Sequence, residues 1–323
     1  AAAFKRTIAD IASFHGVQPV GVVCDLHPEY LSSQHAVELQ LPICRVQHHL
    51  AHICSCMAEN SLGGPVLGVA WDGSGLGTDG TIWGGEFIVV DSNSWRRVAA
   101  LRPFMLPGGE KAIKEPRRTA LGILHELFDS SLFDHGELIA RLGFKEIESR
   151  TLIGMMTHQI NSPPTTSIGR FFDAVAAICG VRNTCSFEGQ AAMELEYCAL
   201  NCLDAAPYLF EVAQSGGIMV VDWGPMTKAL LLDIDSGVPV ARISYQFHVT
   251  LAEIIVAVAQ QIGIRQVALS GGCFQNKLLL EQTISRLRDT GLNPVIHRQL
   301  PPNDGGISFG QLIAATRNLK QVN

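Results

Sequence analysis

Apolar and polar positions alternate in two rhythms over residues 4–60. Residues 4–15 and 29–39 read as helices, residues 19–24 and 41–46 as short apolar strands, and residues 47–60, rich in Ala, Met and Glu, as a third helix. This alternation belongs to a mostly parallel sheet flanked by helices. From Val66 the pattern changes. Val66-Leu-Gly-Val-Ala-Trp71, Thr81-Ile-Trp-Gly-Gly-Glu-Phe-Ile-Val-Val90 and Arg96-Arg-Val-Ala-Ala-Leu101 predict three consecutive antiparallel strands joined by turns. Residues 103–215 hold helix formers and only short apolar runs, which predicts a helical insertion. A strand-like stretch near 217–244 returns to the βα rhythm: a helix at 248–262, a strand at 266–269, a helix at 275–289, a strand at 294–297 and a last helix from Gly305. Gly63-Gly64-Pro65 punctuates the change of rhythm, so the expected units are residues 1–62 and 63–323. The second unit reads as three antiparallel strands followed by βαβα. The first shows only the αβαβα part of that plan, as if its leading strands were missing.

Composition narrows the class. With 323 residues and 47% apolar content the chain can bury a large core. No apolar run reaches about 18 residues without a charge, Gly or Pro, so no membrane span is expected. The N-terminus has no apolar core followed by a cleavage site, so it does not read as a signal peptide, and the missing initiator Met suggests an excised piece. The nine cysteines form no Cys-x-x-Cys pair and their count is odd, which fits a reduced, cytoplasmic protein whose thiols act as small apolar groups. A net charge of −6 argues against a protein that coats nucleic acid. Locally the balance inverts: between Asp91 and Ala120 seven Lys and Arg face three acids, a basic island that suits a small anion.

Candidate chemistry centres on Val46-Gln-His-His-Leu-Ala-His52. On a helix His48 and His52 project from one face a turn apart and can share a metal. Two bare histidines more often form a surface or hydrogen-bonded pair, but Asp72 at a strand end and Asp304 at a helix start supply carboxylates at turn positions. Two imidazoles and two carboxylates suit zinc or iron and leave room for a substrate oxygen. His49 points elsewhere, behind the ligands or toward solvent.

Four further stretches bear on anions and nucleotides. Trp71-Asp-Gly-Ser-Gly-Leu-Gly-Thr-Asp-Gly80 has four glycines in ten residues, so it is either an anion-binding loop or a flexible hairpin. Ser270-Gly-Gly-Cys-Phe-Gln-Asn276 lies between a strand and a helix, where N–H groups and the positive helix end favour a nucleotide. Cys273, with no histidine near it in sequence, reads as a packing residue. Pro116 should open a helix. Arg117 and Arg118 then fall in its first turn, where cations are disfavoured; either an anion or a solvated basic turn accounts for them. Asp173 and Glu188 are polar exceptions on helices that otherwise read as core, and either could serve a ribose hydroxyl.

Together, the histidine motif, Asp72-Gly-Ser-Gly-Leu-Gly-Thr-Asp-Gly80 with its following strand, Leu106-Pro-Gly-Gly-Glu-Lys111, Glu115-Pro-Arg-Arg118, Gly169-Arg-Phe-Phe-Asp173, Phe187-Glu-Gly-Gln190, Ser270-Gly-Gly-Cys-Phe-Gln-Asn276 and Asn303-Asp-Gly-Gly306 resemble the C-terminal Kae1-like domain of the HypF family, the [NiFe]-hydrogenase maturation carbamoyltransferases. The likeness runs in order from about residue 19 to 315; Glu110 departs from the Asp of many relatives. The same plan occurs in tRNA threonylcarbamoyl transferases and antibiotic O-carbamoyltransferases, and a non-catalytic nucleotide-binding scaffold is the reading from outside enzymology. The resemblance implies an ASKHA fold, the two-lobed α/β plan of actin, Hsp70 and sugar kinases, here with a partial first lobe and a helical insertion in the second. It implies carbamoyl transfer from carbamoyl-adenylate, made from carbamoyl phosphate and ATP, to the C-terminal cysteine of HypE. Upstream acylphosphatase-like, zinc-finger and YrdC-like domains accompany it in complete proteins. It further implies that His48, His52, Asp72 and Asp304 hold a divalent metal, zinc or iron. Gly73, Ser74, Gly75, Gly77 and Gly80 would approach a phosphate that Lys111, Arg117 and Arg118 neutralise. Asp173, Glu188, Gly271, Gly272 and Asn276 would hold the nucleoside.

Overall fold

The structure, a computed structural model, describes residues 2–200, 202 and 204–322. Its first elements follow the expected alternation: α1 (Ala2–His15), β1 (Val22–Asp25), α2 (Leu31–Glu38), β2 (Ile43–Val46) and α3 (His48–Glu59). β1 and β2 pair in parallel, Val22 opposite Ile43 and Asp25 opposite Val46, as a separate two-stranded sheet. Parallel pairing brings both carboxyl ends to one edge, where Asp25 stands beside the start of α3. This region has little interior of its own: Phe14 is 85% and Val20 89% exposed.

The main sheet begins with β3 (Val66–Leu76), β4 (Ile82–Val90) and β5 (Ser94–Leu101), antiparallel as expected. The chain continues through β6 (Phe104–Met105), α4 (Glu110–Lys114), α5 (Pro116–Phe128), α6 (Gly136–Arg141), α7 (Glu146–Thr157), β7 (Pro164–Thr165), α8 (Ile168–Ile178) and α9 (Gln190–Ala199). Then come β8 (Glu211–Ser215), β9 (Ile218–Asp222), α10 (Gly224–Asp235), α11 (Val240–Ile262), β10 (Gln266–Ser270), α12 (Lys277–Asp289), β11 (Asn293–Val295), α13 (Ile307–Thr316) and β12 (Lys320–Gln321). Strand order is β11-β10-β3-β4-β5-β9-β8, with β10 and β11 parallel to the central β3.

The period of two along β3 divides the core. Leu67, Val69 and Trp71 face one layer with Phe171, Phe172, Trp223 and Phe247, while Val66 and Ala70 face the other with Leu50, Ile53, Ile88 and Ala268. α3, which the sequence assigns to the first unit, thus packs over the large sheet. Gly68 permits this, since a Cβ there would stand 2.4 Å from Ile53. Burying α3 on a sheet anchored by aromatic residues makes its histidines part of a rigid layer.

Three expectations change. The strand-like stretch 217–244 is strand only at β9; Trp223-Gly-Pro ends it, Pro225 opens α10 at its first turn, and α11 starts at Val240. The helices of 103–215 are less an appendage than part of the core, because Leu121 of α5 and Phe171 of α8 join the same buried cluster as Trp71. The glycine-rich stretch is largely strand: β3 continues past Asp72, its register shifts between Trp71 and Gly75, and the turn lies at residues 77–81. α11 is long and apolar enough by composition to cross a membrane, yet 72% of its most apolar window is buried inside the molecule.

Candidate metal centre

Local structure aims the histidines. Gln47 caps α3, its Oε1 accepting the Leu50 N–H at 2.8 Å, which puts His48 in the first turn and His52 one turn on. Their ring centroids lie 5.0 Å apart. At the irregularity after Trp71, Asp72 leaves the ladder. Its Oδ1 accepts the Gly272 N–H at 3.0 Å, and its Oδ2 stands 3.2 Å from His48 Nε2 and 3.5 Å from His52 Nε2. Asp304, in the short 3-10 turn before α13, completes the group with Oδ1 3.6 Å from both Nε2 atoms. The four ligand atoms lie within 4.8 Å of one another.

Behind the cluster stands a residue that the motif reading missed. Asp25 Oδ2 lies 2.9 Å from His48 Nδ1, both groups being buried. A carboxylate behind a ligating imidazole fixes its orientation and leaves the other nitrogen to face a metal. The signal was available in outline: Asp25 ends the strand paired in parallel with the one that leads into the histidines. Three carboxylates therefore converge on two imidazoles, and among the described residues no Lys or Arg side chain pairs with any of them. Burial opposes a charge on His48, but Asp25, Asp304 and Asp72 outweigh it and hold its pKa well above the usual value. Burial likewise opposes ionisation of Asp72, and the neighbouring His48 and His52 rings bring its carboxyl well below the usual range. This field favours a cation. The residues fit a metal by a second test too: His52 Nε2 is buried and has no hydrogen-bond partner among the described residues. The side chain of Asp304 is 74% exposed, so the group opens to solvent on that side.

His49 is buried, which removes its solvent-facing alternative. Its Nδ1 lies 3.0 Å from Gln47 Nε2, and burial with the neighbouring His48 pushes its pKa well down. Gly75 lies against these rings; a Cβ there would be 2.7 Å from both His48 and His49.

The other expected site residues divide. Gly73 lies beside the buried Arg170 and the exposed Glu188, whose Oε1 is 3.0 Å from where a Gly73 Cβ would stand. Ser74 is half-buried, while Gly77 is buried and Gly80 sits in the turn at φ +80°. Asp173 is buried 3.1 Å from Arg170, and burial pushes its carboxyl up to about 6. Gly272 gives its N–H to Asp72 and Gly271 donates to Pro302 O at 2.9 Å. Asn276 is engaged at both ends: Oδ1 caps α12 by accepting the Leu279 N–H, and Nδ2 lies 2.9 Å from His248 Nε2. Burial pushes the Cys273 thiol well up, in keeping with a packing role.

The basic stretch behaves differently. Pro116 opens α5 as expected, but Arg117 meets Glu115 at 2.9 Å and Glu148 at 3.0 Å, and its guanidinium lies 4.5 Å from the Phe144 ring centre. Arg118 meets Glu115 at 2.9 Å, and Lys111 is exposed. Carboxylates of the chain itself thus balance the cations at this helix start.

Comparison with known proteins supplies the family. A family described as the carbamoyltransferase Kae1-like domain, second subdomain, matches residues 68–311, and one described as the HypF Kae1-like domain matches residues 1–59. Carbamoyltransferase HypF of Synechocystis sp. is 40% identical over 96% of this chain and 42% of its own length. The carbamoyltransferase HypF homolog of Cupriavidus necator is 39% identical over 94% of this chain and 79% of its own. A crystal structure of full-length HypF in the phosphate- and nucleotide-bound form superposes with a TM-score of 0.91 at 39% identity, covering 97% of this chain and 49% of that one. The chain thus spans about half or less of the Synechocystis relative and of the solved structure. The expected α/β fold is the fold observed, and it is shared with solved HypF.

Proposed function

This chain belongs to the Kae1-like domain family of HypF carbamoyltransferases, and on that ground we propose that it transfers a carbamoyl group from carbamoyl-adenylate to the C-terminal cysteine of HypE in hydrogenase maturation. One observation carries the reading: an open group of two imidazoles and two carboxylates joined, through Asp72 and the Gly272 N–H, to the turn between β10 and α12. The solved HypF with phosphate and nucleotide bound supports a nucleotide donor.

In this mechanism the acceptor thiolate attacks the carbamoyl carbon, a C–S bond forms, the C–O bond to the adenylate phosphate breaks, and AMP leaves with the electron pair. His48, His52, Asp72 and Asp304 would hold a divalent ion, zinc or iron, which when bound would supply positive charge toward a carbamoyl or phosphate oxygen. Asp25 keeps His48 in register. Gly73 and Ser74 would approach the phosphate, with Asp173 and Glu188 assigned to the ribose. Arg117 and Arg118 reach an anion only by releasing Glu115 or Glu148. The chain contributes no nucleophile, consistent with the raised Cys273 thiol.

The test loads the chain with zinc or ferrous iron and supplies carbamoyl-adenylate with a peptide ending in the HypE cysteine. Mass spectrometry should find one carbamoyl group on the terminal sulfur. Carbamoyl transfer to a hydroxyl acceptor and none to the peptide would redirect the assignment to the O-carbamoyl relatives.

A further inference from the structure

The helix that carries His48 and His52 ends in a second polar anchor outside the metal cluster. Glu59 is the last residue of α3, and its side chain is 8% exposed. Its Oε1 accepts the backbone N–H groups of Arg298 at 3.0 Å, of Gln299, and of Leu300 at 3.2 Å. Its Oε2 lies 3.3 Å from Nδ1 of His297, whose Nε2 is 2.8 Å from Ser270 Oγ. Beside it Asn60 Nδ2 donates to Ile296 O at 3.0 Å, and Gly271 N–H holds Pro302 O at 2.9 Å. Ser270 is wholly buried, so this row of Ser, His and Glu gives a substrate no approach and acts as a strut. Several N–H groups converging on one carboxylate oxygen form a charge-assisted anchor.

What the anchor holds is the approach to Asp304. Between β11 and α13 the backbone has only one 3-10 turn, and no ladder fixes its path. Glu59 and His52 stand seven residues apart on one helix, about 10 Å along a rigid rod. One end of α3 therefore offers two ligands, while the other grips the segment that delivers a third.

We propose that Glu59 is a positioning residue that clamps residues 298–300 to α3 and so sets Asp304 at ligand distance from His48 and His52. The Glu59–His297 contact at 3.3 Å and the His297–Ser270 hydrogen bond set the same helix end against the Ser270-Gly271-Gly272 turn. The proposal rests on reading the four-residue cluster as a metal centre.

Two measurements on the full chain test it. Without metal, hydrogen–deuterium exchange in Glu59→Ala should rise at least tenfold at residues 298–300 and 304–306 while the middle of α3 stays protected. Unchanged exchange overturns the clamp whether or not the chain binds metal. In a calorimetric titration zinc should bind about 10–100-fold more weakly to Glu59→Ala. Glu59→Gln, which keeps an Oε1 acceptor, should bind zinc within threefold of wild type. Faster exchange in Glu59→Ala with unchanged zinc affinity overturns the positioning role. A wild-type chain that binds no zinc sinks the metal reading, and the exchange experiment still decides the clamp. Should Glu59→Ala fail to fold, Glu59→Asp, one methylene shorter, carries both measurements.

Discussion

His52 on α3 and His248 on α11 are both buried imidazoles, and their surroundings differ in one respect. His248 Nδ1 meets Ser244 O at 2.7 Å and Nε2 meets Asn276 Nδ2 at 2.9 Å, which suits a neutral ring with both nitrogens paired. His52 Nε2 has no hydrogen-bond partner among the described residues and faces two carboxylates at 3.5 and 3.6 Å. A buried polar atom without a partner costs free energy unless something pairs with it. Arg117 and Arg118 fall on the side of His248: their charges are met by Glu115 and Glu148. Pairing within the chain marks structure, and a gap in that pairing, surrounded by excess negative charge, is what a cation would fill.

The contrast can be broken in several ways. The largest expected effect is at the ligands: His48→Ala or His52→Ala should lower zinc affinity by about 100-fold or more, exceeding the usual cost of losing a supporting partner. Equal metal content by elemental analysis in variant and wild type would erase the distinction between His52 and His248.

Acid should expose His248 next. Burial, partly offset by its backbone partner, pushes its pKa down to about 4. Because the unfolded imidazole takes up a proton near pH 6.5 and the folded one does not, stability should fall between pH 6.5 and 4, by on the order of 3 kcal/mol. Urea melts of wild type and His248→Gln across that window should diverge; parallel curves would show that His248 is not held neutral.

A smaller effect is expected behind the cluster. Asp25→Asn should weaken zinc binding about 10–100-fold and leave the melting temperature nearly unchanged, as a calorimetric titration beside a thermal melt would show. A variant that loses only stability would make Asp25 a core partner.

The smallest effect concerns the paired arginines. Arg117→Ala should cost about 1–2 kcal/mol of stability, the range of a partly exposed charged network. Its affinity for carbamoyl-adenylate should change less than threefold. A tenfold loss in calorimetry would restore the anion-binding role and move Arg117 to the side of His52.

The residues most legible in the sequence were those with local signatures. The spacing of His48 and His52 needs only a helix, and the carboxylates of Asp72 and Asp304 belong to short motifs around chain punctuation. Asp25 and Glu59 carry no such signature, because their partners are 23 and 239 to 241 residues away in sequence. The glycine-rich stretch read as a loop because glycine composition is the same in a turn and in a strand passing close under His48 and His49. At the basic island Glu148 enters from a different helix, which a local count of charges does not show.

By itself the sequence determined the α/β alternation, the antiparallel strands beginning at Val66 and the i, i+4 spacing of His48 and His52, all consequences of local periodicity and side-chain chemistry. Only the tertiary structure decided which charges cancel. Pairing between distant groups depends on how α3 seats against β3, how β1 aligns with β2 and how the segment before Asp304 is tied down. Those distances follow from packing across the core, which no local pattern encodes.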